Sequence, residues 1–327
     1  MVRAREASAL LSRLRPIILP KAYPMKTKIL LGAALVAFAS QAGAADLASK
    51  KKAAAPAPAP YFLFADTTIS YRFETRAKEP GVSNPVQKNV VSLTHFDVTK
   101  WGTNFVNIDV LKSNNADVAN NSSAGAVEAY GLYRGTVSGN YLAGKKAFAF
   151  GPVKDVSLAF GGDINNKNTQ FNPQKRLVVG GVQVDFDVPG VLNVALLAGK
   201  EWNHCGIDAA CVGAGKTTDP SFNTNAHIEV NYMQPLAFTG MPLKFSGFTN
   251  FVTPKGKDGS NTQTKLEILS DNRLTLDFGK VVGYQANKVD TFVGYRYWMN
   301  KFGNPSKNTN GGGTIENQIY VGLAYHL

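Results

Sequence analysis

The alternation of residues 314–327 constrains the fold of this chain more than any other feature. A period of two indicates an extended strand, because successive side chains of a strand point to opposite faces. One face carries Ile315, Ile319, Val321, Leu323, Tyr325 and Leu327. The other carries Glu316, Gln318, Tyr320, Ala324 and His326. Such a final strand is typical of bacterial outer-membrane barrels, in which one face meets lipid and the other a wet lumen.

The last strand of a soluble β-sandwich is the alternative, and Leu327 departs from the Phe or Trp that usually closes an outer-membrane barrel. Strand-like runs recur at about 61–76, 88–98, 102–113, 124–137, 154–166, 174–187, 191–204, 223–234, 242–253, 262–277, 288–300 and 314–327. No run of about 18 apolar residues follows the N-terminal region, so a membrane-embedded chain would cross by strands. The sequence predicts an all-β fold over residues 61–327. It is a transmembrane antiparallel β-barrel of about 12 strands, with long outer loops and shorter periplasmic turns.

The N-terminal region has the pattern of an export signal. Residues 25–28 contain two lysines and start a short positive region, residues 29–39 are apolar, and Ala42-Gly43-Ala44 is a small-residue cleavage site. Together they predict a signal peptide over 25–44. A membrane anchor is the alternative, but the apolar run is too short to span. We interpret the Arg-rich residues 1–24 as the product of a start codon assigned too early. Residues 45–60 are rich in Ala, Pro and Lys and predict a periplasmic tether, either passive or in contact with peptidoglycan.

The charge balance argues against nucleic acid as a partner. The formal net charge is +12, but residues 1–44 hold seven Lys or Arg and one acidic residue. The remainder carries 28 basic and 22 acidic residues, and Lys50, Lys51 and Lys52 lie in the tether. Binding of nucleic acid needs a concentrated basic face. The expected partners are therefore the lipid bilayer with its lipopolysaccharide and small-molecule solutes.

Several short stretches resemble the Tsx-type nucleoside-specific outer-membrane channels. They are Phe150-Gly151-Pro152-Val153-Lys154 leading into Phe160-Gly161-Gly162-Asp163, then Val179-Gly180-Gly181-Val182-Gln183-Val184-Asp185, Gly247-Phe248-Thr249-Asn250-Phe251 and Gly294-Tyr295-Arg296-Tyr297-Trp298. They spread over residues 61–327 in the order that this family shows them. The resemblance implies a monomeric twelve-stranded barrel with a narrow lumen that takes nucleosides.

Strand parity gives a set of inward side chains that could form a solute path. Its polar members are Glu128, Arg134, Asp163, Asp185, Glu229, Lys244, Asn250 and Arg296, and its aromatic members are Phe105, Tyr130, Phe248, Phe292 and Trp298. Aromatic faces can stack on a base, which contributes about 1–3 kcal/mol per base, while charges and amides suit the base edges and the ribose. A path of several weak binding sites would still release the solute, whereas one tight site would hold it and stop diffusion.

Two alternatives to a solute path remain open. The inward charges could pair across strands and hold a small barrel shut. The barrel would then be non-conducting, with a structural or surface-binding role in the envelope.

The cysteines, the histidines and the glycine run give no pattern of a catalytic or metal site. Cys205 and Cys211 lie in one predicted outer loop, and the oxidising envelope favours a disulfide that closes a short ring. A zinc site with the adjacent His204 is the alternative, but it lacks further ligands. The histidines are scattered, and no G-x-S-x-G motif occurs. Residues 311–313, all glycine, follow no strand-to-helix pattern and indicate a loop rather than a phosphate cradle. We expect neither an enzyme nor a cofactor.

The export signal gives the first prediction. The mature chain should start near Ala45, because small residues precede it and the apolar core ends at the right distance. N-terminal sequencing of protein extracted from envelopes checks this. A mature chain that still carries residues 1–24 would contradict it.

Overall fold

A computed structural model describes residues 60–307, 309 and 311–327 of the protein. The upstream segment, the signal peptide and all but the last residue of the tether lie outside the described residues. Those N-terminal interpretations therefore stay predictions.

The strands form a single sheet that closes on itself as a barrel. Their bounds are β1 (Phe62–Ala77), β2 (Val86–Thr99), β3 (Gly102–Ser113), β4 (Val127–Ser138), β5 (Val153–Lys167), β6 (Arg176–Phe186), β7 (Val191–Trp202), β8 (Asn225–Pro235), β9 (Leu243–Val252), β10 (Glu267–Asp277), β11 (Val289–Met299) and β12 (Ile315–His326). Each strand pairs antiparallel with the next, and β1 pairs with β12. Closure leaves no unpaired strand edge, which lipid would not tolerate. The predicted all-β, 12-strand antiparallel barrel is confirmed.

Strand β10 is the place where the predicted bounds differ most from the structure. The alternation was followed from residue 262, but β10 begins at Glu267. The preceding residues belong to an outer hairpin in which Lys257 pairs with Gln263. There the hydroxyl of Thr264 accepts a hydrogen bond from the amide of Lys255 at 2.9 Å. Alternation alone cannot separate a strand from a hairpin arm that continues it.

The connections at the two ends of the barrel differ in length. The outer loops cover 78–85, 114–126, 168–175, 203–224, 253–266 and 300–314, and the inner turns cover 100–101, 139–152, 187–190, 236–242 and 278–288. The longer inner turns contain short helical segments, among them α1 (Gly139–Ala143) and α3 (Phe278–Val281). Exposed side chains such as Phe150 and Phe238 lie there. In the described part of the chain, no helix is long and apolar enough to cross a membrane.

The outer surface of the wall is an apolar belt. Its exposed members include Ile69, Val91, Leu93, Ile108, Val110, Leu158, Val182, Leu196, Ile228, Leu274, Val293, Ile319, Val321 and Leu323. The residues between them on β12 are buried inside the barrel, so the predicted parity of this strand is correct. A soluble protein rarely exposes an apolar surface of this extent. An apolar outer wall around a charged interior is the arrangement of a transmembrane β-barrel, so the chain is a bacterial outer-membrane barrel and not a soluble sandwich.

The parity of the wall leads to a prediction about membrane stability. Val321→Arg should cost about 2–4 kcal/mol of unfolding free energy if this site lies near the bilayer midplane, because the guanidinium would face lipid. Ser70→Arg should cost less, because Ser70 is half-buried on the inner face of the neighbouring strand. Urea unfolding in lipid vesicles measures both. Equal costs would contradict the assigned faces.

Candidate solute path through the barrel

The strand registers place the predicted path residues on the inner face of the wall. Directly opposed residues of antiparallel strands project to the same side. Asp271 is buried inside the barrel and lies opposite both Phe248 and Arg296. In the same way Glu229 lies opposite Asn250, and Phe105 lies opposite Arg134. The remaining members, placed by the same alternation, are Glu128, Tyr130, Asp163, Asp185, Lys244, Phe292 and Trp298. That these residues line the path of a solute stays a prediction.

Arg134 connects two distant parts of the wall. Its Nη1 donates to Oδ1 of Asp163 on the adjacent β5 at 2.8 Å. Its Nη2 donates to Oε1 of Glu229 at 2.7 Å, and its Nε donates to Oε2 of Glu229 at 3.0 Å. Glu229 lies on β8, four strands from β4 around the barrel. This bidentate ion pair therefore spans part of the lumen.

The wall beside this span carries small and apolar side chains. A Cβ at Gly161 would lie 2.8 Å from Cδ of Arg134, so a larger residue would displace the arginine side chain. Farther around β5, β6 and β7 the buried inner residues form a cluster of Ala159, Leu177, Val179, Ala195 and Leu197. The guanidinium thus pairs with Asp163 on β5 and, beyond this apolar cluster, with Glu229 on β8.

A second ion-pair network covers the opposite wall. Arg72 donates to Asp109 at 2.8 Å and to Glu74 at 2.9 Å. Arg296 donates to Glu74 at 2.8 Å and pairs with Asp271 at 2.7 Å. The network runs from β3 through β2, β1, β12 and β11 to β10. Two arginines thus pair with three carboxylates, and Arg296 is not a free charge in the lumen.

The outer end of the lumen holds a cluster that includes a loop residue. Glu79, from the loop 78–85, pairs with Lys88 at 2.6 Å, Lys167 at 2.8 Å and Lys301 at 3.3 Å. Burial alone would raise the pKa of Glu79, but the ammonium groups of Lys301, Lys88 and Lys167 outweigh it and hold the pKa well below its usual value. Burial alone would lower the pKa of Lys301, but Glu316 and Glu79 raise it above its usual value.

The two halves of the lumen differ in their access to water. In the outer half, the side chains of Glu79 and Lys301 are 8% and 3% exposed. In the periplasmic half, the exposed fractions are 38% for Lys244, 34% for Arg273 and 32% for Asp66. Ion pairs therefore bury the charges at the outer end of the lumen, whereas these three charged side chains towards the periplasm keep partial access to water.

The inward aromatic residues fall into two groups. Phe292 is buried and packs on Gly322, where an added Cβ would lie 2.3 Å from the ring. Trp298 donates its Nε1 to Glu267 at 2.7 Å, and the ammonium of Lys301 lies 4.4 Å from its ring centroid. Phe248, like Trp298, is half-buried. Phe292 has Tyr320 and Arg273 as neighbours, and Trp298 has Phe302 and Lys301, so these two rings already contact other side chains.

The long outer loop 203–224 contains both cysteines. The structure joins Cys205 and Cys211 in a disulfide with a Cα–Cα distance of 6.3 Å. His204 contacts Asp219, Nδ1 to Oδ1, at 2.9 Å, and the hydrogen bond from His204 lowers the pKa of the Asp219 carboxyl. Within the described residues, no group of three or more His, Cys, Asp or Glu could hold a metal ion.

Sequence reasoning missed the residues that close the outer end. Glu79 and Lys301 lie in the connections after β1 and β11, and Lys255 lies in the connection after β9. Lys255 pairs with Glu201 at 2.6 Å, and both side chains are buried. No period marks a loop residue as inward, so the alternation carried no signal for them.

Comparison with known proteins adds no family to this description. No family model matches the chain, and no curated protein matches it. Similar solved structures include the translocator domain of the autotransporter NalP from Neisseria meningitidis, with 12% identity, 80% of this chain and 88% of that chain covered, and a TM-score of 0.41. The KdgM porin is 9% identical, with 79% of this chain and 98% of that chain covered and a TM-score of 0.36. Acinetobacter baumannii OccAB1 is 8% identical, with 82% of this chain and 97% of that chain covered and a TM-score of 0.36. Likenesses this distant carry no argument about solutes.

The span made by Arg134 leads to a prediction about stability. Arg134→Met should cost about 3–5 kcal/mol, because it leaves the Glu229 carboxylate inside the barrel without its partner. Lys244→Met is the control and should cost about 0–1 kcal/mol, because Lys244 is 38% exposed and Asp290 keeps His326 as a second partner at 3.2 Å. Urea unfolding midpoints measure the difference. Equal costs would show that Arg134 carries no special share of the stability.

Proposed function

We propose that the protein is an outer-membrane channel through which small polar solutes diffuse, with nucleosides as the first solute class to test. The observation that carries this proposal is a set of inward charged side chains towards the periplasmic end that keep partial access to water. A barrel with a purely structural role has no need to leave inward charges partly hydrated. Here Asp66, Lys244 and Arg273 keep about a third of their side-chain surface exposed.

Phe248 and Asn250 supply the features that a nucleoside would need. They are inward residues of β9 two positions apart, so they are neighbours on one face. Asn231 lies opposite Phe248, and Glu229 lies opposite Asn250. The Oδ1 atom of Asn250 is buried and accepts no hydrogen bond from any described residue. An aromatic face beside an unpaired acceptor and an amide fits the face and the edge of a base.

The alternative function is a non-conducting barrel with a structural or surface-binding role. The ion pairs of the outer lumen favour it, because they join β2, β5 and the loop before β12 through Glu79. A barrel closed in this way would conduct only if loop 78–85 moves. Current through the folded protein therefore separates the two candidates.

The partners and the absence of catalysis belong to the same proposal. We expect a monomer in a bilayer with lipopolysaccharide, as the resemblance to the Tsx-type channels implies. We expect no nucleic-acid partner, no cofactor and no enzymatic activity. The histidines support this, because they bind nearby side chains at separate places: His95 contacts Thr67, His204 contacts Asp219, and His326 contacts Asp66.

Planar-bilayer recording tests the nucleoside path. Wild-type protein should pass ion current that uridine reduces, and Phe248→Ala should weaken this block because the stacking face is lost. Baseline current in the variant should be equal or higher, because the lumen widens. Phe245→Ala is the matched control, because Phe245 is exposed on the outer wall and stacks on Tyr232.

The same recordings separate a channel with a nucleoside path at Phe248 from a channel with another path and from a structural barrel. Block that weakens equally in Phe248→Ala and Phe245→Ala would place the solute elsewhere. Block by uridine that is unchanged in Phe248→Ala would remove this residue from the path. Absence of current from well-folded wild-type protein and variants would contradict the channel and favour the structural role.

A further inference from the structure

Loop 78–85 brings a carboxylate into the barrel instead of exposing it outside. Both oxygens of Glu79 accept hydrogen bonds from lysines, Oε1 from Lys88 at 2.6 Å and Oε2 from Lys167 at 2.8 Å. Lys301 also donates to Oε1, at 3.3 Å. These lysines come from β2, β5 and the connection before β12, so a concave part of the wall surrounds one carboxylate. We call Lys88, Lys167 and Lys301 the lysine cradle.

Each lysine of the cradle has a second carboxylate of its own. Lys88 pairs with Glu128 at 3.4 Å, Lys167 with Asp117 at 2.7 Å, and Lys301 with Glu316 at 2.9 Å. The cradle and these partners are therefore balanced in charge without Glu79. An ammonium group has three donors, so each lysine can hold a further oxygen besides its own partner. Glu79 fills that place as a fourth carboxylate.

The loop that carries Glu79 rests on a glycine turn. The amide of Gly81 donates to the carbonyl of Gly312 at 3.0 Å. A Cβ at Gly313 would lie only 1.8 Å from the carbonyl oxygen of Glu79, and Gly313 also has a φ of +74°. The run of glycines at 311–313 therefore permits a close approach of two backbones. Ion pairs of Glu79 and backbone contacts hold the loop at this point.

We propose that the lysine cradle is an anion-binding site on the solute path, occupied in the closed barrel by Glu79 as a tethered carboxylate. A small solute that carries a carboxylate takes this place when loop 78–85 lifts. The proposal rests on the channel function and adds a solute class to it. A tethered group competes at an effective concentration of about millimolar, so a free carboxylate binds weakly while Glu79 is present.

Removal of Glu79 tests the cradle directly. Glu79→Ala should pass more current than wild type at the same voltage, because the carboxylate of Glu79 no longer fills the lysine cradle. Propionate should reduce this current reversibly and raise the melting temperature of the variant in detergent, since a ligand stabilises the state that binds it. Propionamide has the same shape without the charge and should do neither. Wild type should respond to propionate only weakly.

Two further variants complete the design. Glu79→Gln keeps the shape of the side chain, so it serves if Glu79→Ala fails to fold, and it should also gain a response to propionate. Asp219→Asn removes an exposed carboxylate from another outer loop and should behave as wild type. Heat-modifiable gel mobility shows which variants are folded barrels.

The outcomes distinguish the cradle from the channel. Folded Glu79→Ala and Glu79→Gln that conduct like wild type and respond equally to propionate and propionamide would overturn the cradle and leave the channel standing. Absence of current in wild type and in every variant would overturn the channel. In that case the melting temperatures still decide whether propionate binds the cradle.

Discussion

The pairing of buried charges is the constraint on which the rest of this structure depends. A barrel wall must be apolar outside, so its polar side chains turn inwards. In a narrow lumen these side chains lose water, and an ionised group without water needs an opposite charge. Arg134 meets this need by reaching Glu229 four strands away, and Arg296 by binding Glu74 and Asp271. The same interactions that satisfy the charges also narrow the passage.

The difference between the two halves of the barrel follows from where the loops fold. On the outer side, Glu79 and Lys301 enter from the loops and exclude water from the lumen. On the periplasmic side, the inner turns hold exposed residues such as Phe238, and the inward side chains of Lys244 and Asp66 stay partly exposed. A solute would therefore meet its main barrier at the outer end. Loop 78–85 is the element whose position decides between a conducting and a closed barrel.

The strands and their faces could be predicted from the sequence, because the period of two is local and the membrane enforces it at every strand. Ile319 and Glu316 illustrate this, since their exposure and burial follow directly from alternation. The partners of the inward charges could not be predicted. Arg134 and Glu229 are 95 residues apart, and only the curvature of the closed wall brings them together. Glu79 lies in a loop, where no period exists, and Lys88 lies in a strand whose polar residues occupy both parities.

The central claim is that ion pairs close the outer lumen while the periplasmic half stays open to water. Single introduced thiols test it, because no free cysteine occurs among the described residues, in which Cys205 and Cys211 form a disulfide. Ser246 is half-buried and lies opposite Arg273 in the periplasmic half, whereas Ser113 is buried opposite Lys88 at the outer end. A charged maleimide should label Ser246→Cys to completion while Ser113→Cys stays unmodified in the folded barrel. Equal labelling of the two positions would contradict the claim.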